Sequence, residues 1–433
     1  MGWDFHCQNA TGIPPDTCSG HFNDPQHKIL TLEYPHTHGS QMASIISAVT
    51  DNDPTGGMAG IAWKVKVMGV RCAESYTKFV DIFEGTQYAV DNGAHLLNMS
   101  FTIATPTEAR DIAAFAMWHE LIVRAREQAG ILTITSADDA DTSLAYAYER
   151  YPNVWPEVIC VAAVDSSGKK TVKYGSRDGS NYGAAVDICA PAGGTRETSL
   201  QIVSCAYQPH AQPQYPGSIY PHHFWYTSIA TSGACAEVTG ILALLKSLYP
   251  DATPDFLESE LKRGATPLNP SEQGQPWADS LGVGIVNAYR SLTQWGTLSE
   301  STTWSNTVYV SGDLTVASGK TLTINPGTVI NIAGDDNEAT GLDATRIEFN
   351  IEGYLDINGT AENPVVFQSW QSNGRDDWVG IKLWTGSTGG NLDHVIIKNA
   401  ETGIKHAVPI TVTNSTINNC EIGIESFDNL TLT

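Results

Sequence analysis

Residues 226–248 read YTSIATSGACAEVTGILALLKSL, and this stretch decides the fold. Val238, Ile241, Leu242 and Leu245 recur at steps of three and four, the pattern of a buried helix face. Thr231 stands where that helix begins. It is expected to act as the cap, because a threonine side chain satisfies an orphan amide of the first turn. Ser232 then falls at the helix start, where free N–H groups and the positive dipole end favour a developing negative charge. A serine so placed, followed by small residues, is a candidate nucleophile.

The stretch resembles the serine motif of the subtilisin-like proteases (subtilases), Gly-Thr-Ser-Met-Ala-x-Pro-x-Val-Ala-Gly. Aligned without gaps, Ser232 takes the nucleophile position and Gly240 that of the helix glycine, eight residues on. Thr227-Ser228 offers a second serine, but it lies twelve residues before Gly240 and does not fit. Ala230 replaces the motif's first glycine, Gly233 its methionine and Ala236 its proline. Glu237 stands where a histidine is frequent.

Upstream, His36-Thr37-His38-Gly39-Ser40-Gln41-Met42-Ala43 resembles the subtilase histidine motif, Gly-His-Gly-Thr-His-Val-Ala. The resemblance makes His38 the general base, a role that suits imidazole because its ordinary pKa lies near neutrality. Gln41 replaces the second histidine of the motif. The family runs Asp, His, Ser along the chain. No apolar-Asp-Ser/Thr-Gly signature precedes His38. Asp4, Asp16 and Asp24 are the only aspartates before it, and none follows an apolar strand. Gly2-Trp3-Asp4-Phe5 resembles the segment that comes after the aspartate strand. The expectation is a sequence that begins downstream of that strand; the alternative is a degenerate relative.

Between the two motifs, apolar runs at 65–71, 94–100, 130–137 and 158–165 alternate with helical stretches at 81–92 and 107–129. That alternation predicts βαβ units and a parallel sheet. Ala94–Ser100 resembles the family's "Val-Ile-Asn-Met-Ser" strand, which implies that Ser100 borders the substrate. Asp139 falls where the family has the asparagine that donates to the oxyanion, with Asp138 on the preceding glycine. A carboxylate donates only when protonated. Neighbouring Asp138 and Asp141 would push it that way. Cys235, inside the serine helix, is expected to be a small buried packing residue. Segments 180–193 and 282–289 extend the resemblance to about residue 293.

The expected fold class is therefore α/β over 1–293, a subtilisin-like parallel sheet flanked by helices that lacks the first strand with the catalytic Asp. Residues 294–307, rich in Ser, Thr, Trp and Gly, read as a linker. Residues 308–433 then change pattern. Short strands are separated by Asn-Pro-Gly and Asn-Gly turns, and Gly380, Gly403 and Gly423 recur at spacings of 23 and 20. Such periods mean a solenoid. The segment resembles a right-handed parallel β-helix of the pectate-lyase type, incomplete at Thr433, with a contact to polysaccharide or a cell surface as its implied role. Asp335, Asp336 and Glu338 could hold a structural calcium or form a solvated acidic loop.

A net charge of −23 excludes a nucleic-acid surface, which needs a basic face. No apolar run is long enough to cross a membrane. Eight cysteines carry no CxxC pair. Cys7 and Cys18 leave open a small disulfide loop or, with His6 and His21, a zinc site. His210, His222 and His223 lie in an insertion expected over 206–225. No catalytic metal is expected. The first residues carry no signal-peptide pattern. The resemblance implies a secreted or cell-surface serine endopeptidase acting on proteins or peptides. The alternative is a non-catalytic adhesive or carbohydrate-binding protein with a decayed protease domain.

Overall fold

Apolar runs of four to seven residues, separated by amphipathic stretches, fold as strands and helices in turn. The computed structural model describes residues 2–4, 38–51, 58–72, 79–104, 109–144, 150–172, 179–192, 202–205, 224–227, 230–269, 280–370 and 373–433. Two units divide the chain, Met1–Ala288 and Tyr289–Thr433. His6, Cys7, Asp16, Cys18, His21, Asp24, His36, His210, His222 and His223 lie outside the described residues.

The first unit runs β1 (Gly2–Asp4), α1 (His38–Ser47), β2 (Gly69–Arg71), α2 (Phe79–Asp91), β3 (Leu96–Met99), β4 (Ile103–Ala104) and α3 (Ala109–Glu127). It continues through β5 (Leu132–Ser136), β6 (Arg150–Tyr151), β7 (Val158–Val164), β8 (Ile188–Pro191), β9 (Ile202–Cys205), β10 (Phe224–Thr227), α4 (Ala230–Leu248) and α5 (Pro254–Gly264). Strands β3, β5, β7 and β8 pair in that order, all parallel. Every residue of β5 and β7 is buried. Continuous burial of that kind belongs to a parallel sheet covered on both faces.

Strand β3 shows how the two covers divide. Leu97 and Met99 pack with Ile82 of α2 and Trp118 and Ile122 of α3. The alternate residues Asn98 and Ser100 bond to α4. Side chains of a strand alternate between faces, so α4 lies on the face opposite α2 and α3. It crosses β3, β5, β7 and β8. The helix face predicted from the sequence is the one that is buried: Val238, Ile241, Leu242 and Leu245 are inaccessible or nearly so. Gly240 lets the neighbouring chain approach, since a Cβ there would sit 2.8 Å from the Ile61 Cβ.

The run 65–71 is a strand only at its end. Ile61 and Ala62 donate their amides to the carbonyls of Ile45 and Ile46, so this segment folds back on α1. Only Gly69–Arg71 becomes β2, paired in parallel with β1 from Gly2↔Gly69 to Asp4↔Arg71.

The second unit takes all but the first residue of a short helix, α6 (Ala288–Leu292), and continues with β11 (Gln294–Leu298), β12 (Thr302–Trp304), β13 (Thr307–Val316), β14 (Thr321–Ile324), β15 (Val329–Ile332), β16 (Glu348–Ile351) and β17 (Tyr354–Asn358). There follow β18 (Val365–Ser369), β19 (Gly380–Leu383), β20 (Gly389–Asp393), β21 (Val395–Lys398), β22 (Thr402–His406), β23 (Ile410–Thr413), β24 (Thr416–Asn418), β25 (Ile422–Ser426) and β26 (Leu430–Leu432). All pair in parallel, in stacks that climb coil by coil, such as β12-β14-β17-β20-β23-β26. This is a parallel β-helix. Its inward ladders are apolar. One runs Leu314–Phe349–Ile381–Ile404–Ile424 and another Ile330–Phe367–Ile397–Ile417.

The linker expected at 294–307 is not one. β11 and β12 fill most of it and pair with β13 and β14, and Trp304 is buried in the solenoid core. Thr297 and Thr303 are exposed on their strands and Ser299, Ser301 and Ser305 are exposed between strands, so a polar composition concealed the first coil.

Candidate active site

α4 brings Ser232 to its first turn, and the sheet surrounds it with strand ends. The Ser232 hydroxyl donates to the Ser100 carbonyl at 3.2 Å, and the Ser100 hydroxyl donates to the Ser232 carbonyl at 3.0 Å. Ser100, expected at the substrate edge, thus lies directly against the candidate nucleophile. Asn98 fixes it further by donating from Nδ2 to the Ser100 hydroxyl at 3.0 Å. The Asn98 Oδ1 accepts from the Thr239 hydroxyl at 2.9 Å. Asn98 and Thr239 are therefore the residues that lock strand to helix. The sequence contained Asn98 in its "Asn-Met-Ser" run but gave no sign of its partner.

Thr231 is not the cap that local pattern predicts. α4 already begins at Ala230. Both the amide and the hydroxyl of Thr231 donate to Asp139 Oδ1, at 3.0 and 2.8 Å. The acceptor for this helix end comes from a loop 92 residues earlier in the chain. Asp139 therefore sits at the start of α4 as an acceptor for the residue next to Ser232. Its neighbour Asp138 has a φ of 77°, a left-handed backbone that costs a non-glycine residue energy.

His38 opens α1, and α1 packs on α4. Met42, Ile45 and Ile46 share one apolar cluster with Ala236. Met42 and Ala236 each lie one turn beyond His38 and Ser232. Among the described residues, the imidazole makes no hydrogen bond or ion pair with Ser232 or with a carboxylate. His38 is exposed by area, yet enough protein surrounds the ring to strip water from it and lower its pKa. Loss of water disfavours the imidazolium, so the ring stays a base below its usual range.

Glu237 shares α4 with Ser232, and desolvation pushes its carboxyl up to about 8. Cys235 is fully buried, as its position in the helix predicts, and burial pushes its thiol up to about 12. Such a thiol is not a nucleophile near neutral pH. Among the described residues, no group of three or more His, Cys, Asp and Glu could hold a metal ion. Asp336 accepts from the amides of Glu338 and Thr340, and Glu338 pairs with Arg290.

The first unit is thus a parallel α/β sheet with a serine at the start of the helix that covers one of its faces. The chain belongs to the subtilase family, whose model matches residues 14–284; a pectate-lyase like β-helix domain matches 296–422. It is 26% identical over 256 residues to the thermostable alkaline protease of Halalkalibacterium halodurans, covering 59% of this chain and 57% of that protein. With the alkaline elastase YaB of a Bacillus species it shares 27% over 253 residues, covering 58% and 54%. It thus spans about half the length of the curated relatives it matches. A solved protease structure from Pseudoalteromonas arctica superposes with a TM-score of 0.50 at 24% identity, covering 67% of this chain and 82% of that one, a likeness of fold.

Proposed function

We propose that the protein is a serine endopeptidase in which Ser232 attacks the scissile carbonyl and His38 takes its proton. The supporting observation is the shared packing of α1 and α4, which join one turn beyond each of these residues. The Ser232 amide at the helix start is the donor that would meet the oxyanion. A protonated Asp139 carboxyl would supply a second donor from its other oxygen, and the Ser100 backbone would border the bound peptide. An imidazole base without an orienting carboxylate loses about four orders of magnitude in rate, so weak turnover is the expectation for this pair alone.

The substrate class is protein or peptide, and the setting is secreted or at the cell surface. The β-helix, from β11 onward, serves a polysaccharide or surface contact. One observation favours a second reading, a non-catalytic adhesive protein. The Ser232 hydroxyl is engaged with the Ser100 carbonyl rather than with His38. Hydrolysis of a quenched fluorescent peptide library separates the two. Cleavage that disappears in both Ser232→Ala and His38→Ala supports the peptidase. Cleavage that survives Ser232→Ala, or no cleavage from pH 4 to pH 10, overturns it.

A further inference from the structure

We infer that a side-chain bridge, Thr102–Asp138–Arg150, closes the cleft beside Ser232 and restricts it to a small side chain on the acyl side of the scissile bond. The inference rests on the reading of Ser232 as the nucleophile. Strands β3 and β5 pair in parallel up to Met99↔Thr135. Continued at that register, Thr102 and Asp138 stand at the same level beyond the strand ends, two residues past Ser100 and Ser136. Both segments border Ser232, since Ser100 bonds to it and Asp139 bonds to the adjacent Thr231, and on this reading the gap between them is the one that receives substrate. A peptide whose carbonyl lies at Ser232 would direct its adjoining side chain into that gap.

The gap is crossed. The Thr102 hydroxyl donates to Asp138 Oδ2 at 2.9 Å, and Arg150 Nε approaches the same oxygen at 3.3 Å. The flanking strands hold both partners in place, since β4 pairs antiparallel with β6 through Ala104↔Arg150. The Asp138 backbone is fixed as well. Its carbonyl accepts from the Asn181 amide at 2.9 Å, and its Oδ1 accepts from the Asp139 amide at 2.8 Å. Asp138 keeps this place at a φ of 77°, where glycine would be unstrained. Strain retained at a cleft points to a role for the side chain. A large apolar group entering here would have to part the bridge and desolvate an ion pair, whereas glycine, alanine or serine would rest above it.

The test uses the 433-residue chain in a Ser232→Ala background and fluorescein-labelled Gly-Gly-Ala-X amides, with X as Gly, Ala, Leu or Phe, read by fluorescence polarisation. The parent is expected to bind X = Ala about tenfold or more tightly than X = Phe, the scale of steric discrimination in a pocket. Asp138→Gly is expected to erase that preference. This variant removes the bridge while relaxing the backbone, and its Tm is measured alongside to register any loss of folding. A structural clamp alone would move Tm and leave the Ala-to-Phe ratio unchanged. An unchanged ratio in Asp138→Gly, a parent that already prefers Phe, or no binding of any peptide overturns the inference. Fluorophosphonate labelling of Ser232 in the unmutated chain reports the nucleophile separately. Labelling with an unchanged ratio sinks the bridge alone, and a changed ratio without labelling sinks the nucleophile alone.

Discussion

Asp139 holds the amide and the hydroxyl of Thr231 on one carboxylate oxygen. That contact ties the loop after β5 to the start of α4. If the second oxygen donates only when protonated, turnover falls as the carboxyl ionises, and the lowered pKa of His38 keeps the base working on the acid side. Asp139→Asn supplies the donor at every pH. It is expected to raise kcat about a hundredfold above neutral pH, the scale of one oxyanion donor, with a smaller gain in acid. A pH–rate profile of equal shape for both proteins contradicts this. Glu237 bears on stability instead. Its carboxyl is held up at about 8 in the fold, against about 4.3 in an unfolded chain. The folded state therefore binds the extra proton between those values. The stability this contributes is complete below about pH 4.3 and is lost as pH rises through about 8. Glu237→Gln should raise Tm at about pH 9 and leave it nearly unchanged at about pH 4. An equal shift at both contradicts the assignment.

At the level of elements, the glycines of the solenoid repeat have a defined task. Gly380 has a φ of 127°, and a Cβ there would fall 1.7 Å from the Thr402 carbonyl oxygen of the next coil. Gly380→Ala is expected to cost about 3 kcal/mol or more in the β-helix unit, from backbone strain added to a lost close approach. Chemical denaturation followed by the fluorescence of Trp378, buried beside Phe349 and Phe367, measures it. A cost under about 0.5 kcal/mol, that of an ordinary surface site, would refute it. The repeat itself was legible in the sequence, because each coil returns its glycine and apolar residues to the same ladder. The serine helix was legible for a related reason, since one helix face carries all its buried residues. Thr231 was not legible. Its partner is distant in sequence, and a local rule offered a nearer role. Residues 294–307 failed because a strand with one buried face shows half its residues to water. Thr102, Asp138 and Arg150 left no pattern at all, since their meeting depends on how three chain segments leave the sheet.

Taken whole, the molecule carries a net charge of −23 on 433 residues. Self-repulsion of that size opposes compaction and is screened by salt. Its Tm should therefore rise between about 0.05 and about 0.5 M NaCl, as the screening length shortens from above 10 Å to about 4 Å. A falling Tm would mean that attractive ion pairs, such as Lys262 with Asp187 and Glu258, outweigh the repulsion. The fold class was legible at this scale because strand and helix patterns alternate along the first unit and give way to strands alone in the second. The proposed pairing of His38 with Ser232 rests on motif resemblance, since 194 residues separate them.

The most direct measurement is peptide mapping by mass spectrometry after treatment of the chain with a fluorophosphonate probe. The account predicts one adduct, on Ser232, formed more slowly by at least about a hundredfold in His38→Ala, the upper range of general-base assistance being 10⁴. An adduct on another serine, no adduct, or labelling of Ser232 at an unchanged rate in His38→Ala would contradict it.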